Sequence, residues 1–407
     1  MINTPSSGSS LPAAAQRGFG IYIHWPFCLK KCPYCDFNSH VRKEVSQERW
    51  RAALLQELDH YADLLKRSGG EGRIVSSVFF GGGTPSLMAP ETAEALIQRI
   101  RKHWPCTNDL EITLEANPTS VESDKFAAFA QAGINRVSLG IQSLNDQDLQ
   151  FLGREHSAAE ALKAIDVARQ NFERFSFDLI YARPKQEKQS WEDELERALN
   201  EGTKHLSLYQ LTIEENTPFH GARRRGELKE LNPDIAAELY DVTNNVMARH
   251  GLPNYEISNY ANPGEESRHN ITYWKYGDYI GIGPGAHGRL TLADNTSLGN
   301  KIATRQHRAP EIWLNTVEQA GHATRTHDSI STTERFEEML MMGLRLSEGI
   351  KLEDVRDETD QNLTDLIQPD KVNQLVQESL LSLDNKRIRA TVEGRTRLNS
   401  VLSYLLA

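Results

Sequence analysis

The chain has few cysteines, no surplus of positive charge and no long apolar run, and each shortage excludes a class of function. Four cysteines in 407 residues do not make the disulfide framework of a secreted protein and indicate a reducing compartment. Acidic residues outnumber Lys and Arg by 56 to 46, giving a net charge of −10, which argues against a nucleic-acid partner because phosphate binding needs a basic surface. No stretch approaches the roughly 18 apolar residues of a membrane span, and the N-terminus lacks the basic and apolar regions of a signal peptide. We therefore expect a cytoplasmic protein.

The first 250 residues predict an α/β fold. Residues 1–17 are rich in Ser, Ala, Pro and Gly and are predicted to be disordered. In residues 18–250, short β-rich runs alternate with amphipathic helical patterns. Six β-then-α units in this order predict a parallel sheet curved into a partial (β/α)6 barrel. The predicted strands are Gly20–His24, Ile74–Phe80, Glu111–Glu115, Arg136–Ile141, Phe175–Ile180 and Leu206–Leu211.

The remaining residues form two further stretches. Residues 251–330 hold short aromatic segments punctuated by glycine and are predicted to form an extension. Residues 331–407 give helix, turn and helix patterns followed by β-like segments at Arg387–Thr391 and Arg395–Asn399. This order predicts a small, winged-helix-like α/β domain at the C-terminus. Winged helices often bind DNA, but the acidic balance favours an intramolecular packing role here.

Three of the four cysteines are clustered. Cys28, Cys32 and Cys35 have the spacing C-x3-C-x2-C. Three thiolates can hold three corners of a [4Fe–4S] cluster and leave one iron open, which distinguishes a reactive centre from a closed structural one. The spacing alone also allows a zinc site with His24 or His40 as the fourth ligand.

Polar residues and glycines follow the predicted strands. Gly81-Gly82-Gly83-Thr84-Pro85 comes after the second strand, Glu115 ends the third, Gln142 follows the fourth and Asp178 lies near the end of the fifth. Because the carboxyl ends of parallel strands meet at one edge, these residues predict a binding site there. Taken singly, each is equally explained by a tight turn or a salt bridge at the rim.

The cysteine motif, with Tyr34 just before its third cysteine and Gly-Gly-Gly-Thr-Pro about 45 residues later, resembles the radical S-adenosylmethionine (SAM) superfamily. This resemblance implies a [4Fe–4S] cluster on Cys28, Cys32 and Cys35, with the amino and carboxylate groups of SAM on the open iron. It implies that further residues form the SAM pocket. These are Tyr22, Tyr34, Gly82, Gly83, Thr84, Glu115, Gln142, Arg154 and Asp178.

Two downstream segments resemble the haem-chaperone branch of the coproporphyrinogen-oxidase-like radical SAM proteins. Asp178 to Gln186 reads DLIYARPKQ, in which Ala182 and Arg183 replace the usual Gly-Leu, and residues 269–274 read HNITYW. The branch implies haem as cargo with His269 as its contact, an acceptor haem protein that is respiratory and membrane-associated, and a low-potential electron donor. Imidazole is a common axial ligand of haem iron.

Three alternatives remain open from the sequence, the last being a radical SAM enzyme that acts on an unrelated substrate. The first is the related enzyme activity, in which SAM is cleaved and two propionates of coproporphyrinogen III are converted to vinyl groups. Those enzymes carry a further cysteine where this chain has Phe37, and a longer segment before the first strand than the roughly twenty residues preceding Tyr22. The second alternative makes HNITYW a structural strand, whose histidine caps a turn and whose aromatic rings fill the core.

Overall fold

A single large sheet organises most of the chain. The computed structural model describes residues 12–70, 72–294 and 296–407. Its strands are β1 (Phe19–Trp25), β2 (Phe27–Cys28), β3 (His40–Val41), β4 (Val75–Gly82), β5 (Cys106–Ala116), β6 (Arg136–Gln142), β7 (Arg174–Tyr181), β8 (His205–Gln210), β9 (Asn259–Ala261), β10 (Asp278–Ile282), β11 (His287–Leu292), β12 (Asn300–Gln306), β13 (Thr324–Ser329), β14 (Ile350–Lys351), β15 (Leu381–Leu383) and β16 (Arg387–Ala390).

The helices lie between these strands and after them. They are α1 (Gln47–Arg67), α2 (Pro90–His103), α3 (Ser120–Ser123), α4 (Phe126–Gln131), α5 (Asp146–Phe151), α6 (Ala158–Asn171), α7 (Lys188–Leu199), α8 (Pro218–Arg224), α9 (Pro233–Arg249), α10 (Arg268–Trp274), α11 (Pro310–Ala320), α12 (Thr332–Gly343), α13 (Leu352–Thr359), α14 (Leu363–Leu366), α15 (Pro369–Gln377), α16 (Val392–Thr396) and α17 (Leu398–Leu406). None of these described helices has the length and apolarity needed to cross a membrane.

The six predicted strands lie side by side and parallel in the sheet, in the order β1-β4-β5-β6-β7-β8. Side chains alternate between its two faces. Ile21, Ile23 and Trp25 are buried with residues of α1 in the main core, whereas Tyr22 stacks on Phe79 and faces the barrel interior. The predicted partial (β/α)6 barrel is therefore confirmed. Its interior is polar, and the outer face of its sheet is covered by apolar side chains.

The stretch 251–330 extends the same sheet and does not form a separate unit. Strand β10 pairs parallel with β1, and β11, β12 and β13 continue from it in antiparallel order. Strand β9 pairs antiparallel with β8 at the opposite edge. The main core correspondingly runs from Phe19 to Ala323, so residue 250 is not a structural boundary.

The HNITYW segment is helical, and the alternative that made it a strand is wrong. It occupies α10, whose N-cap Ser267 accepts a hydrogen bond from the backbone N–H of Asn270. The hydroxyl of Thr272 donates to the carbonyl of Arg268 one turn earlier, at 2.9 Å. Tyr276, with a φ of 57°, follows the helix end. Capping at Ser267 supplies the local reason for a helix where the aromatic and β-branched composition favoured a strand.

A second core is formed mainly by residues from Phe336 onward and also includes Tyr276. Its three strands are antiparallel in the order β14-β16-β15, beside α12, α13 and α15. This arrangement agrees with the predicted winged-helix-like domain. The β-like reading of Arg395–Asn399 is wrong: Thr391 caps α16 by accepting from the N–H of Gly394, and α17 follows directly.

Part of the N-terminal segment is ordered. The predicted disorder of residues 1–11 lies outside the described residues, but Ala13–Gln16 forms a short 3-10 helix, so the prediction is wrong there. The reason is tertiary packing: Pro12 and Ala15 are buried, and the guanidinium of Arg17 pairs with Glu358 of α13.

Buried charges connect this segment, the sheet and the C-terminal domain. Asp278 of β10 accepts a hydrogen bond from Arg73 at 2.6 Å and lies 3.7 Å from the ammonium of Lys301. Lys301 is in turn 3.2 Å from Glu358. The side chains of all four residues are fully buried, so the charges depend on one another for compensation.

Candidate functional site

The predicted site residues converge at the carboxyl ends of the strands. A cavity of about 170 Å³ opens there, between the cysteine loop and the ends of β4, β5, β6 and β7. Eleven of the thirteen predicted residues line it, and Tyr22 and His269 do not. Those lining it are Cys28, Cys32, Tyr34, Cys35, Gly82, Gly83, Thr84, Glu115, Gln142, Arg154 and Asp178.

Each cysteine of the loop has a polar neighbour. The hydroxyl of Thr84 donates to the sulfur of Cys28 at 3.4 Å, and the guanidinium of Arg154 donates to the sulfur of Cys32 at 3.3 Å. The sulfur of Cys35 lies 3.9 Å from the hydroxyl of Ser39. Such donors stabilise thiolate sulfur, and hydrogen bonds of this kind tune iron–sulfur clusters.

Three clustered thiols fit the ligand set of a [4Fe–4S] cluster with one open iron. In the described part of the chain, no three His, Cys, Asp or Glu side chains lie close enough to share one ion. His24 is already engaged, with its Nε2 2.9 Å from the carbonyl of Asn38 and its Nδ1 3.0 Å from the hydroxyl of Tyr22. Of the two histidines that the zinc alternative offers, His24 is thus engaged, and the Nε2 of His40 lies 3.3 Å from the side-chain oxygen of Asn38. Burial raises the pKa of Cys28 and Cys35, so metal binding would release their protons.

Two glycines let the backbone close around the cavity. Gly82 has a φ of 116°, and a Cβ on it would lie 2.7 Å from the ring of His24. A Cβ on Gly83 would lie 2.8 Å from the carbonyl oxygen of Phe27 and 3.0 Å from the sulfur of Cys28. Gly83 therefore gives Cys28 room, and only a residue without Cβ fits there.

We predict that Gly83→Ala impairs cluster assembly more than it impairs folding. The added methyl group must displace the backbone of Phe27 or the sulfur of Cys28. Iron and sulfide content after anaerobic reconstitution measures the effect, and at least half the cluster should be lost. Gly221→Ala is the matched control, because its nearest new contact is the flexible end of Arg225, at 3.2 Å. Full cluster occupancy in Gly83→Ala would contradict the prediction.

Two carboxyl groups lie deeper in the cavity. Burial, with a smaller effect of Asp178, raises the pKa of Glu115 to about 8, and burial raises that of Asp178 to about 6. Glu115 accepts a hydrogen bond from the N–H of Gly82 at 3.2 Å. Gln142 has a φ of 73° where the register between β6 and β7 shifts. Acceptors buried in this way suit the hydroxyl and ammonium groups of a polar ligand.

Comparison with known proteins agrees with this geometry. Residues 22–198 match the model of the radical SAM superfamily, and residues 330–396 match the HemN C-terminal domain. The mouse protein named radical S-adenosyl methionine domain-containing protein 1, mitochondrial, is 41% identical over 97% of this chain and 89% of its own length. The Escherichia coli heme chaperone HemW is 35% identical over 95% of this chain and 98% of its own, and the Haemophilus influenzae HemW is 35% identical over 95% and 97%. The chain belongs to the HemW family of radical SAM proteins.

A solved structure supports the same fold for the HemW-family chain. Coproporphyrinogen III oxidase (HemN) from Escherichia coli superposes with a TM-score of 0.78, covering 97% of this chain and 91% of that one, at 21% identity. At this identity the likeness establishes the architecture alone. The sheet and the C-terminal domain are thus common to the two folds.

Sequence reasoning missed one residue of the HemW-family site, Asn117. The side-chain oxygen of Asn117 accepts a hydrogen bond from Arg154 at 2.6 Å, and its side-chain nitrogen donates to the hydroxyl of Thr84 at 3.2 Å. It thereby joins the two residues that donate to Cys32 and Cys28. The available signal was its position, since Asn117-Pro118 directly follows Glu115-Ala116 at the carboxyl end of β5.

The structure explains how the chain accommodates Ala182 and Arg183 in place of the usual Gly-Leu. Ala182 has a φ of 55°, a conformation that glycine adopts without strain, so the turn keeps its shape despite the substitution. The Arg183 side chain is buried and pairs with Glu194 at 2.6 Å and with Asp148 at 3.1 Å. Glu194 also accepts from the hydroxyl of Ser143 at 2.6 Å, which ties this turn to the segment after Gln142.

His269 and Tyr22 lie below the cavity, inside the barrel. The His269 ring stacks on Phe79 with centroids 4.2 Å apart and on Tyr22 at 5.9 Å, while Tyr273 packs edge-on at 4.3 Å. The side chain is 4% exposed, its Nδ1 has no hydrogen-bond partner, and burial lowers its pKa to about 3. The structure therefore does not bring His269 together with the cysteines. The hydroxyl of Tyr22 lies 3.0 Å from the Nδ1 of His24, whose ring lies beside Gly82.

Proposed function

We propose that this protein is a haem chaperone, which binds haem and transfers it to acceptor haem proteins while holding a [4Fe–4S] cluster and SAM. The observation that carries the proposal is the similarity over nearly the whole length to chains named heme chaperone HemW. The motif HNITYW and the phenylalanine at position 37 support it over the related enzyme activity.

Roles for the pocket residues follow from their positions. Cys28, Cys32 and Cys35 would hold the cluster, which when bound supplies an iron with an open coordination site and a one-electron redox couple. Gly82, Gly83 and Thr84 would approach the methionine end of SAM, and Glu115 and Asp178 would accept from its polar groups. Arg154 and Asn117 would orient the sulfurs and the pocket wall. The remaining pocket residues, Tyr34 and Gln142, would close its sides.

The anaerobic conversion of coproporphyrinogen III remains the second candidate, because the fold is that of HemN. An assay with reductant, SAM and coproporphyrinogen III distinguishes the two. A chaperone should leave the substrate unchanged, and the enzyme should form vinyl groups.

We propose a cytoplasmic location, supported by clustered cysteines and the low cysteine count. The mouse and bovine relatives are named as mitochondrial, so subcellular fractionation is the test. Its further partners would be an acceptor haem protein and a low-potential electron donor.

We predict saturable binding of about one haem per chain, with His269 as the contact. The buried ring must become accessible for this, since its unpartnered Nδ1 now faces the aromatic stack. The measurement is anaerobic haem titration of reconstituted protein by absorbance. His269→Phe keeps an aromatic ring in the stack and removes both nitrogens, and it should weaken binding at least tenfold.

The controls distinguish the assignment of His269 as the haem contact from the proposal that the protein binds haem. His250→Ala removes an exposed imidazole at the end of α9 and should bind haem normally. Unchanged binding by His269→Phe would move the contact elsewhere. No saturable binding by the wild type would contradict the chaperone proposal itself.

A further inference from the structure

The helix that carries His269 lies between the barrel and the C-terminal domain. The first turn of α10 places His269 inside the barrel, stacked on Phe79 with ring centroids 4.2 Å apart. The last residue of α10, Trp274, and the two residues after it contact the C-terminal domain instead. One short helix therefore joins the buried imidazole to the domain that follows it in the chain.

Haem cannot reach His269 in its present position. The side chain is 4% exposed, and the rings of Phe79, Tyr22 and Tyr273 pack around it. A tetrapyrrole is far larger than an imidazole, so its iron meets this ring only when the helix withdraws. Because α10 has only seven residues, about two turns, we expect it to move as a unit. Residues 274–276 must then leave their partners as well.

Three contacts hold this end of α10 against the C-terminal domain, and we call them the latch. They are Trp274 with Arg345, whose guanidinium lies 4.6 Å from the ring centre, Lys275 with Glu348 at 2.9 Å, and Tyr276, whose hydroxyl donates to Glu338 at 2.6 Å. The side chains of Lys275 and Glu348 are 41% and 42% exposed, and ion pairs this open to solvent are of modest strength.

Both carboxylates of the latch keep a partner when α10 leaves. Glu338 lies 2.7 Å from Arg289 of β11, and Glu348 lies 3.1 Å from Arg387 of β16. Neither arginine belongs to α10. Opening the latch therefore avoids the large cost of a buried charge that has lost its only partner.

The arginine of the latch is shared in the same way. Arg345 lies 3.3 Å from Glu256, which precedes β9. Next to it, the backbone N–H of Ser347 donates to the carbonyl of Tyr255 at 3.0 Å. These contacts join the C-terminal domain to the barrel without α10, so the domain stays in place while the helix moves.

We propose that the latch is a gate, through which the C-terminal domain holds α10 closed and limits the access of haem to His269. The proposal rests on the proposed haem contact at His269. Haem then binds only the fraction of molecules whose latch is open, and the measured dissociation constant exceeds the intrinsic one by the inverse of that fraction. A change that opens the latch without touching His269 should therefore tighten haem binding.

The test is anaerobic haem titration of the variant K275E, whose new carboxylate faces Glu348. The variant should bind haem about fivefold more tightly than wild type, the factor that corresponds to the upper range for an exposed ion pair. Association in stopped-flow should be faster. The direction of the change is informative, because K275E would bind more weakly if Lys275 held the carboxylates of haem itself.

Two further variants test the same gate independently. Y276F removes only the hydroxyl that donates to Glu338 and keeps the ring in the second core, and it should also tighten haem binding. The charge swap K275E/E348K restores an ion pair of opposite polarity, so its haem affinity should return to that of wild type.

Hydrogen exchange of the free protein distinguishes opening of the latch from general destabilisation. In K275E the backbone amides of α10 should exchange at least about fivefold faster, whereas those of β16 in the second core should be unchanged. R397E is the matched control. It places like charges together in the exposed pair of Arg397 and Glu393, away from α10, and should match wild type in haem affinity and in the exchange of α10.

The outcomes separate the gate from the haem function. If wild type binds haem and neither K275E nor Y276F binds it more tightly, the gate is overturned and the haem function stands. Saturable binding by K275E but not by wild type would support the gate. No saturable binding by wild type or any variant would contradict the haem function and the gate together.

Discussion

Replacing any one of Cys28, Cys32 and Cys35 with alanine is expected to abolish the [4Fe–4S] cluster. In the proposed cluster three protein sulfurs would hold three of the four irons, so the loss of one would leave two irons without protein ligands. Iron and sulfide analysis after anaerobic reconstitution should fall from about four of each per chain to near zero. The visible absorbance of the cluster should disappear in parallel.

Cys106→Ala is the matched control for these variants. Cys106 begins β5, is partly buried and does not line the cavity. Its replacement should leave iron content unchanged. Stoichiometric zinc in place of iron in the reconstituted wild type, or full iron in a Cys32→Ala variant, would contradict the assignment.

Asp278→Ala is expected to destabilise the fold by about 3–5 kcal/mol, the cost of removing one partner from a buried ion pair. The change leaves Arg73 without its carboxylate, and it removes the acceptor for the N–H and hydroxyl of Thr291, at 2.7 and 2.9 Å. Lys301 keeps Glu358 as a carboxylate partner and the carbonyl of Tyr276 as an acceptor. Chemical denaturation followed by circular dichroism measures the difference.

The pH dependence of the free energy of unfolding tests whether this loss of stability is electrostatic. Burial alone would raise the pKa of Asp278, but Arg73 and Lys301 hold it below its usual value. A depressed pKa contributes stability that is present above the unfolded value, about 3.9, and is lost as pH falls. The difference in the free energy of unfolding between wild type and Asp278→Ala should thus become smaller as the pH falls. Glu238→Ala is the control, because it breaks the exposed pair with Lys188. It should lower the free energy of unfolding by less than about 1 kcal/mol at any pH. An equal loss of stability in both variants would contradict this account.

Periodicity was sufficient for the barrel because each of its strands has a local signature. The strand from Val75 to Gly82 ends in glycines, and in the strand from Arg136 to Gln142 apolar residues alternate with polar or small ones. Because the carboxyl ends of parallel strands meet at one edge, residues that end these strands were expected to lie together there. Glu115 and Asp178 are two of them, and both line the cavity.

Long-range packing explains what the sequence could not predict. The burial of His269 depends on Phe79 and Tyr22, which come from strands far away in sequence. The order of Ala13–Gln16 depends on a carboxylate of the C-terminal domain, Glu358, which pairs with Arg17. Asn117 gains its role only when Thr84 and Arg154 are brought beside it. None of these partners is visible in a local pattern.

The parallel pairing of β10 with β1 sets an order of events during synthesis. Strand β1 leaves the ribosome first and can pair with β4 early, but its other edge stays open until Asp278–Ile282 has been made. Until then Arg73 is also without its carboxylate. Pairing over such a sequence distance is slow, and an open edge is exposed to aggregation meanwhile. The nascent barrel is therefore expected to keep this open edge until its late strands arrive, so the cysteine loop between β2 and β3 sits on an unfinished sheet for most of translation.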